Sequence, residues 1–149
     1  MNWKSEAMDR LRQYDSLRMA CSNIPQEIQR LRSRVCRTRG AATETVGTAG
    51  GYDRGDTAML NDLVQLQELS WNLSRSKNWV AMTDRALRAL TEKERLILSR
   101  LYIYPETGGL ERLCRELGLE KSSVYRHRDR ALQKFTLALY GLPEPWQAS

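Results

Sequence analysis

Residues 121 to 130, KSSVYRHRDR, combine short hydroxyl groups with four lysine or arginine side chains. Such groups bind the base edges and phosphates of nucleic acids. If the segment is a helix, one face carries Lys121, Ser122, Tyr125, Arg126 and Asp129. The candidate nucleic-acid-binding residues on this segment are Lys121, Ser122, Tyr125 and Arg126, flanked by Arg128 and Arg130.

The other face of this segment is predicted to pack against a preceding helix. It carries Val124, His127, Ala131 and Leu132. At this position a histidine is more often a packing residue than a reader of DNA, a metal ligand or a catalyst. We therefore expect His127 to lie against its neighbours.

The chain offers little for catalysis or metal binding. Its single histidine, His127, lies near none of the cysteines Cys21, Cys36 and Cys114 in the sequence, and neither a C-x-x-C spacing nor a glycine-rich phosphate loop occurs. The carboxylates are scattered as on an ordinary surface. We therefore expect no enzyme, no metal site, no cofactor, and cysteines in the reduced state.

The elements that must position the basic segment follow a short helical pattern. Residues 110 to 117, LERLCREL, predict a two-turn helix with leucines and Cys114 on one face. Gly118 then suits a left-handed turn, and Leu119 precedes the second helix. This order is typical of a helix-turn-helix. A basic helix exposed to solvent in a bundle remains the alternative.

A further helix is predicted upstream. Thr91 and Glu94 have the T-x-x-E spacing of a capping box, which satisfies free backbone amides at a helix start. We therefore expect a helix that begins at Glu92, followed by a loop over residues 104 to 109, YPETGG.

The segment from Leu90 to Phe135 resembles the promoter-binding domain of bacterial sigma factors, known as region four. The resemblance rests on LTEKERLILSRLY and LERLCRELGLEKSSVYRHRDRALQKF, with Ala131 and Leu132 at an alanine-leucine pair of the last helix. The loop IYPETGG is longer than in that family. Cys114 and His127 stand where a small residue and an aliphatic one are commoner.

This resemblance implies a role for most of the candidate residues. Lys121 and Ser122 would contact bases or adjacent phosphates, and Arg126 would read bases one turn further along. Ser123 and Tyr125 would contact the DNA backbone or thymine methyl groups. Arg130, and Arg115 from the preceding helix, would bind phosphates.

The first two thirds of the chain predict two long helices. In the first, from about Trp3 to Arg37, apolar residues recur with coiled-coil spacing that only Arg10 interrupts. Pro25 lies off this seam and predicts a kink or a break, with Asn23 as a new N-cap. The predicted seam consists of Tyr14, Leu17, Cys21, Ile24, Ile28, Leu31 and Val35.

Residues 40 to 55 hold five of the nine glycines and predict a flexible loop. A second helix is then predicted from the N-cap Asp56, with Met59 and Leu66 opening a second seven-residue repeat. Spacing alone leaves open whether the two stripes pack within one chain or between chains. Because the first stripe exceeds what the second can cover, we expect at least a dimer.

The predicted fold is all-α. A long N-terminal helical hairpin or coiled coil comprises a helix over 1–39, a flexible loop over 40–55 and a second helix over 56–89. A sigma-like helix-turn-helix domain follows over 90–142, with a tail over 143–149.

The charge of the chain indicates its partners. It has 149 residues, with 24 lysines and arginines against 18 acidic residues, a net charge of +6 and a pI near 9.5. Such a surplus favours acidic partners such as DNA. No stretch approaches the roughly 18 apolar residues of a membrane span, and no signal peptide is recognisable. We expect a cytoplasmic protein without membrane contact, and the resemblance to bacterial sigma factors implies a bacterial host cell.

The complete layout resembles the small phage and prophage regulators of the ArpU and RinA type. We therefore expect a sequence-specific transcription regulator of phage or prophage late genes that binds double-stranded DNA, with RNA polymerase as a further candidate partner. The long helices lack the aromatic-rich promoter-melting segment of true sigma factors, so the duplex would not be opened. Two alternatives remain, a small terminase-like DNA-packaging subunit and a helical adaptor that binds no DNA.

Overall fold

The computed structural model of the chain describes residues 2–44 and 52–141, with side chains over 2–38 and 55–141. Every element in these ranges is helical, which confirms the all-α fold class. The elements are α1 (Trp3–Glu44), α2 (Tyr52–Arg88), α3 (Glu92–Leu98), a π-helical segment (Ser99–Ile103), α4 (Gly109–Leu117) and α5 (Lys121–Tyr140).

Helix α1 continues through Pro25, as expected for a single helix over this range, and the alternative of a break with a new start at Asn23 does not occur. Proline inside a helix removes one backbone hydrogen bond and costs about 3 kcal/mol. The Pro25 ring is exposed, while Ile28 one turn further along is buried. Packing of the neighbouring turns therefore holds the helix together across the missing hydrogen bond.

The predicted loop over residues 40 to 55 is too long. Helix α1 extends to Glu44 and α2 begins at Tyr52, so Asp56 lies inside α2 and is not its N-cap. Glycine in a helix costs only about 1 kcal/mol relative to alanine, which is too little to end a long helix. Residues 45 to 51, the remainder of that loop, and the predicted tail over 143–149 lie outside the described residues.

The chain forms two compact units that cut across the predicted domain boundaries. Met1–Leu17 and Trp79–Ser149 form one, which we call the terminal unit, and Arg18–Asn78 form the other, the middle unit. The first turns of α1 and the last turns of α2 therefore belong with α3 to α5. The predicted boundary at residue 90 leaves these turns out.

The core of the terminal unit explains this grouping. Leu11 of α1 is fully buried in the same cluster as Leu98 and Phe135. Tyr14 donates a hydrogen bond to Asp84, so α1 and α2 are also joined by polar contacts in this unit. The buried residues of the cluster are Ala7, Leu11, Ala86, Leu90, Leu98, Tyr102, Ile103, Ala131, Leu132 and Phe135.

Arg10, which interrupts the predicted seam, is buried in the terminal unit. Its guanidinium carbon lies 3.5 Å from the centre of the Trp79 ring and 5.3 Å from that of Tyr140. Among the residues that the structure describes, Nε and Nη1 of Arg10 find no hydrogen-bond partner. The aromatic faces therefore provide the favourable electrostatic contacts of this cation, since both rings lie within cation–π range.

The predicted seam of α1 is covered largely within a single chain. Ile28, Leu31 and Val35 are buried in the middle unit, with Leu31 only 1 % exposed. Beside them Arg34 Nε donates to Asp62 Oδ2 of α2 at 2.9 Å. The seven-residue repeat thus reflects packing within the chain, and these three residues are not free to form the predicted dimer seam. The other seam residues, Tyr14, Leu17, Cys21 and Ile24, are half-buried.

Candidate nucleic-acid interface

The capping box at the start of α3 is confirmed. Glu94 N–H donates to Thr91 Oγ1 at 3.2 Å, and Thr91 N–H donates to Glu94 Oε1 at 3.0 Å. Lys134 of α5 also donates to Glu94 Oε1, at 3.1 Å. Desolvation acts to raise the pKa of Glu94, but the hydrogen bonds from Thr91 and Lys134 outweigh it and lower this pKa below its ordinary value. The cap therefore ties the start of α3 to α5.

Helix α3 passes directly into the π-helical segment, which the sequence pattern did not predict. The last residues of the π-helical segment, Tyr102 and Ile103, are buried in the core of the terminal unit. On the opposite side, Arg100 donates to Glu116 of α4 at 3.1 Å. The segment thus fixes α4 relative to the core.

Glycines in left-handed conformation delimit α4. Gly108 has a φ of 73° before the helix and Gly118 a φ of 64° after it. The Gly118 and Leu119 amides both donate to the Cys114 carbonyl, the latter at 3.1 Å. The left-handed turn predicted at Gly118 is therefore confirmed, and only glycine adopts it without strain.

A small apolar cluster holds α3, α4 and α5 together. Ile97, Leu113 and Val124 contribute one fully buried side chain from each helix. Half-buried residues surround them, among them Leu110, Cys114, Leu117 and Leu119. Because three helices meet at these side chains, the orientation of α5 about its own axis is fixed.

The predicted packing face of α5 is confirmed. Val124 and Ala131 are fully buried, and Leu132 nearly so. His127 is half-buried, and desolvation, aided by the nearby cations Lys93 and Arg130, lowers its pKa. The lowered pKa favours the neutral form of this imidazole.

The opposite face of α5 is exposed and basic. Ser122, Arg126 and Arg130 point away from the core, and Lys121 is exposed at the first turn. Arg126 Nη2 donates to Ser123 Oγ at 3.3 Å. Arg115 is exposed on α4. The structure thus brings five of the predicted residues to the surface of the α4–α5 segment, and half-buried Ser123 lies beside them.

Tyr125 and Arg128 lie apart from this face. Both are half-buried and line a depression beside the loop that precedes α4. The Arg128 guanidinium carbon lies 4.6 Å from the centre of the Tyr125 ring, and Arg128 donates to Asp129 at 3.0 Å. These contacts engage both side chains within the fold, so the two residues flank the exposed face and do not form part of its centre.

Two basic residues near this face were missed in the sequence. Lys4 Nζ of α1 lies 3.6 Å from Asp129 Oδ1 of α5. Lys93 of α3 is exposed and close enough to His127 to lower its pKa. The capping box predicted that Lys93 lies at a helix start, but it did not indicate that this helix start lies beside α5. Nothing in the local sequence could bring Lys4 to a residue more than a hundred positions away.

No protein-family model, curated protein or solved structure matches the chain. In the part of the chain that the structure describes, no three histidine, cysteine or acidic side chains are grouped as metal ligands would be. Across residues 2–44 and 52–141, no helix combines the length and apolar character required to cross a membrane. The resemblance to sigma region four therefore rests on the quoted motifs alone.

Proposed function

We propose that the chain is a sequence-specific regulator that binds double-stranded DNA, with α4 and α5 acting as a helix-turn-helix and α5 as its recognition helix. One observation carries the proposal. The face with Ser122, Arg126 and Arg130 is exposed, while the opposite face with Val124 and Ala131 is fully buried. A helix held this way presents its basic face in one fixed orientation.

The dimensions and chemistry of this face suit the DNA major groove. The groove is about 12 Å wide and admits one α-helix. Arginine can donate two hydrogen bonds to guanine, and serine can bond to any base, so Arg126 and Ser122 are the proposed base readers. Lys121, Arg115 and Arg130 surround them and would bind phosphates, which fixes the register of the helix on the duplex.

The one acidic residue on the exposed face, Asp129, is compensated. It lies 3.6 Å from Lys4 Nζ and accepts a hydrogen bond from Arg128 at 3.0 Å. Its charge is therefore balanced by two cations before DNA arrives. This balance reduces the repulsion that an unpaired carboxylate would exert on a phosphate.

In this proposal the C-terminal helices act as sigma region four does, and the chain is a phage or prophage regulator of the ArpU and RinA type. It acts in the bacterial cytoplasm, without catalysis or cofactor. RNA polymerase is a proposed second partner, because the sigma domain that it resembles works on that enzyme. The protein binds duplex DNA and does not open it.

Selection from a random duplex library, followed by footprinting on the selected sequence, tests this function. We expect enrichment of one short motif and protection over about one helical turn for each bound copy. Affinity should fall steeply with salt, because phosphate contacts release counterions. Recovery of no motif, together with an absence of binding to any duplex at low salt, would contradict the proposal and favour the adaptor alternative.

A further inference from the structure

Helix α2 carries a second apolar stripe, which its seven-residue repeat did not predict. Leu60 and Trp71 are 61 % and 66 % exposed, and Leu63 and Val64 are also largely exposed. Positions three, four, seven and eleven residues apart lie on one side of a helix. These four side chains, with Gln67 between them, form a continuous stripe that we call the outer α2 face.

The outer α2 face is distinct from the side of α2 that packs within the chain. Asp62 is buried, 8 % exposed, and accepts the hydrogen bond from Arg34 of α1. The outer face lies on the other side of the helix, where Trp71, Val64 and Gln67 border an open depression. A row of large apolar side chains is therefore exposed to solvent, and packing within the described part of the chain does not cover it.

Charged residues of opposite sign end this stripe. Asp56 lies one turn before Leu60, and Arg75 lies one turn after Trp71. Both are exposed on the same side of the helix as the stripe. Neither has an ion-pair partner among the side chains described over 2–38 and 55–141.

We infer that the outer α2 face binds a second copy of this chain, with the two α2 helices antiparallel about a two-fold axis between Gln65 and Leu66. This arrangement places Leu60 of one copy against Trp71 of the other, and Val64 against Gln67. Asp56 then meets Arg75 at both ends. A parallel arrangement in register would instead place like charges together at each end.

The pattern of the face favours a second copy over an unrelated partner. A two-fold interface must be self-complementary, and this register sets Asp56 against Arg75 and Leu60 against Trp71, with Leu63 against Glu68. Apolar patches on the order of 400 Å² mark interaction surfaces, whereas a standard interface buries about 800 Å² per partner. The four apolar side chains thus form the centre of an interface that polar neighbours must complete. We expect a dissociation constant in the micromolar range.

This inference does not require that the chain bind DNA. If it does, the dimer supplies the second recognition helix that a single helix-turn-helix needs to select a site. The test is therefore done without DNA, so that its failure and the failure of the proposed function can be told apart.

Analytical ultracentrifugation of the full chain, from about 1 to 100 μM, measures the dimer directly. We expect a reversible monomer–dimer equilibrium in the wild type. Trp71→Lys should weaken dimerisation at least about 100-fold, because each of the two copies loses the aromatic side chain that anchors the interface. The matched control is Leu137→Lys, an exposed leucine of α5 in the terminal unit, which should leave the equilibrium unchanged. Circular dichroism verifies that both variants stay helical.

Charge reversal tests the antiparallel register. Asp56→Arg alone and Arg75→Asp alone should each weaken the dimer about tenfold, since two end pairs become repulsive. The double variant should restore it to within about threefold of the wild type, because the pairs are then exchanged. A monomeric wild type at about 100 μM, or a dimer that is insensitive to Trp71→Lys, would overturn the inference. Charge reversals that weaken the dimer without mutual rescue would overturn the antiparallel pairing.

Discussion

Replacement of Leu11 by alanine tests whether the first turns of α1 belong to the fold of the terminal unit. Leu11 is among the largest fully buried side chains of the chain and lies in one cluster with Leu98 and Phe135. No sequence pattern assigned it there, because it falls outside the seven-residue repeat of α1. Its removal therefore probes a contact between distant parts of the chain.

The expected loss of stability is large. Truncation of a fully buried leucine to alanine removes its transfer free energy and leaves a cavity, at a cost of 2–5 kcal/mol in general. Since Leu11 is surrounded by other buried side chains, the site cannot collapse easily, and we expect about 3 kcal/mol. With a urea slope of about 1.5 kcal/mol per M, the unfolding midpoint falls by about 2 M.

Urea unfolding followed by circular dichroism and tryptophan fluorescence measures this change. The control is Met19→Ala, a residue of the same helix that is 59 % exposed and should change the free energy of unfolding by less than about 0.5 kcal/mol. Equal, small changes for both variants would refute the reasoning. The helix-turn-helix domain would then fold without α1, as the predicted boundary at residue 90 implies.

Two further predictions concern α3 and α5. Although burial acts to raise the pKa of Glu94, the hydrogen bonds from Thr91 and Lys134 lower it below the ordinary 4.5. A lowered folded-state pKa gives stability that is present above the unfolded value and lost as the pH falls through the folded one. Glu94→Gln should therefore remove part of the acid destabilisation below about pH 4.5, measured as the urea midpoint against pH. His127→Leu should preserve helicity and keep DNA affinity within about twofold, whereas Ala131→Glu, which buries a charge, should unfold the terminal unit. Loss of DNA binding by a fully helical leucine variant would show that the imidazole contacts DNA.

Local features of the C-terminal helices could be predicted from the sequence because their causes are local. The capping box of Thr91 and Glu94 involves residues three apart, and the turn at Gly118 depends on a single backbone conformation. The buried face of α5 follows from helical spacing, which placed Val124 and Ala131 inside. The same spacing placed Tyr125 on the exposed face, where the structure instead half-buries it beside Arg128.

Features that depend on contacts between distant segments could not be predicted. The seven-residue repeat of α1 identified Ile28 and Leu31 as packing residues, but a repeat does not reveal whether the covering helix belongs to the same chain. Lys4 reaches Asp129 only because α1 packs into the terminal unit. The outer α2 face was missed because the predicted seven-residue repeat follows Met59 and Leu66, whereas Leu60 and Leu63 lie beside that repeat and are exposed.

The most direct test of the proposed function compares Arg126→Ala with Arg130→Ala on a selected DNA site and on a scrambled duplex, by fluorescence anisotropy at several salt concentrations. Arg126 lies at the centre of the exposed face of α5, and Arg130 lies one turn further along. We predict that Arg126→Ala costs about 1–3 kcal/mol on the selected site and little on the scrambled one. Arg130→Ala should weaken both duplexes alike and reduce the salt slope by about 0.9. Equal losses on both duplexes for both variants, or no loss for either, would contradict base reading by α5.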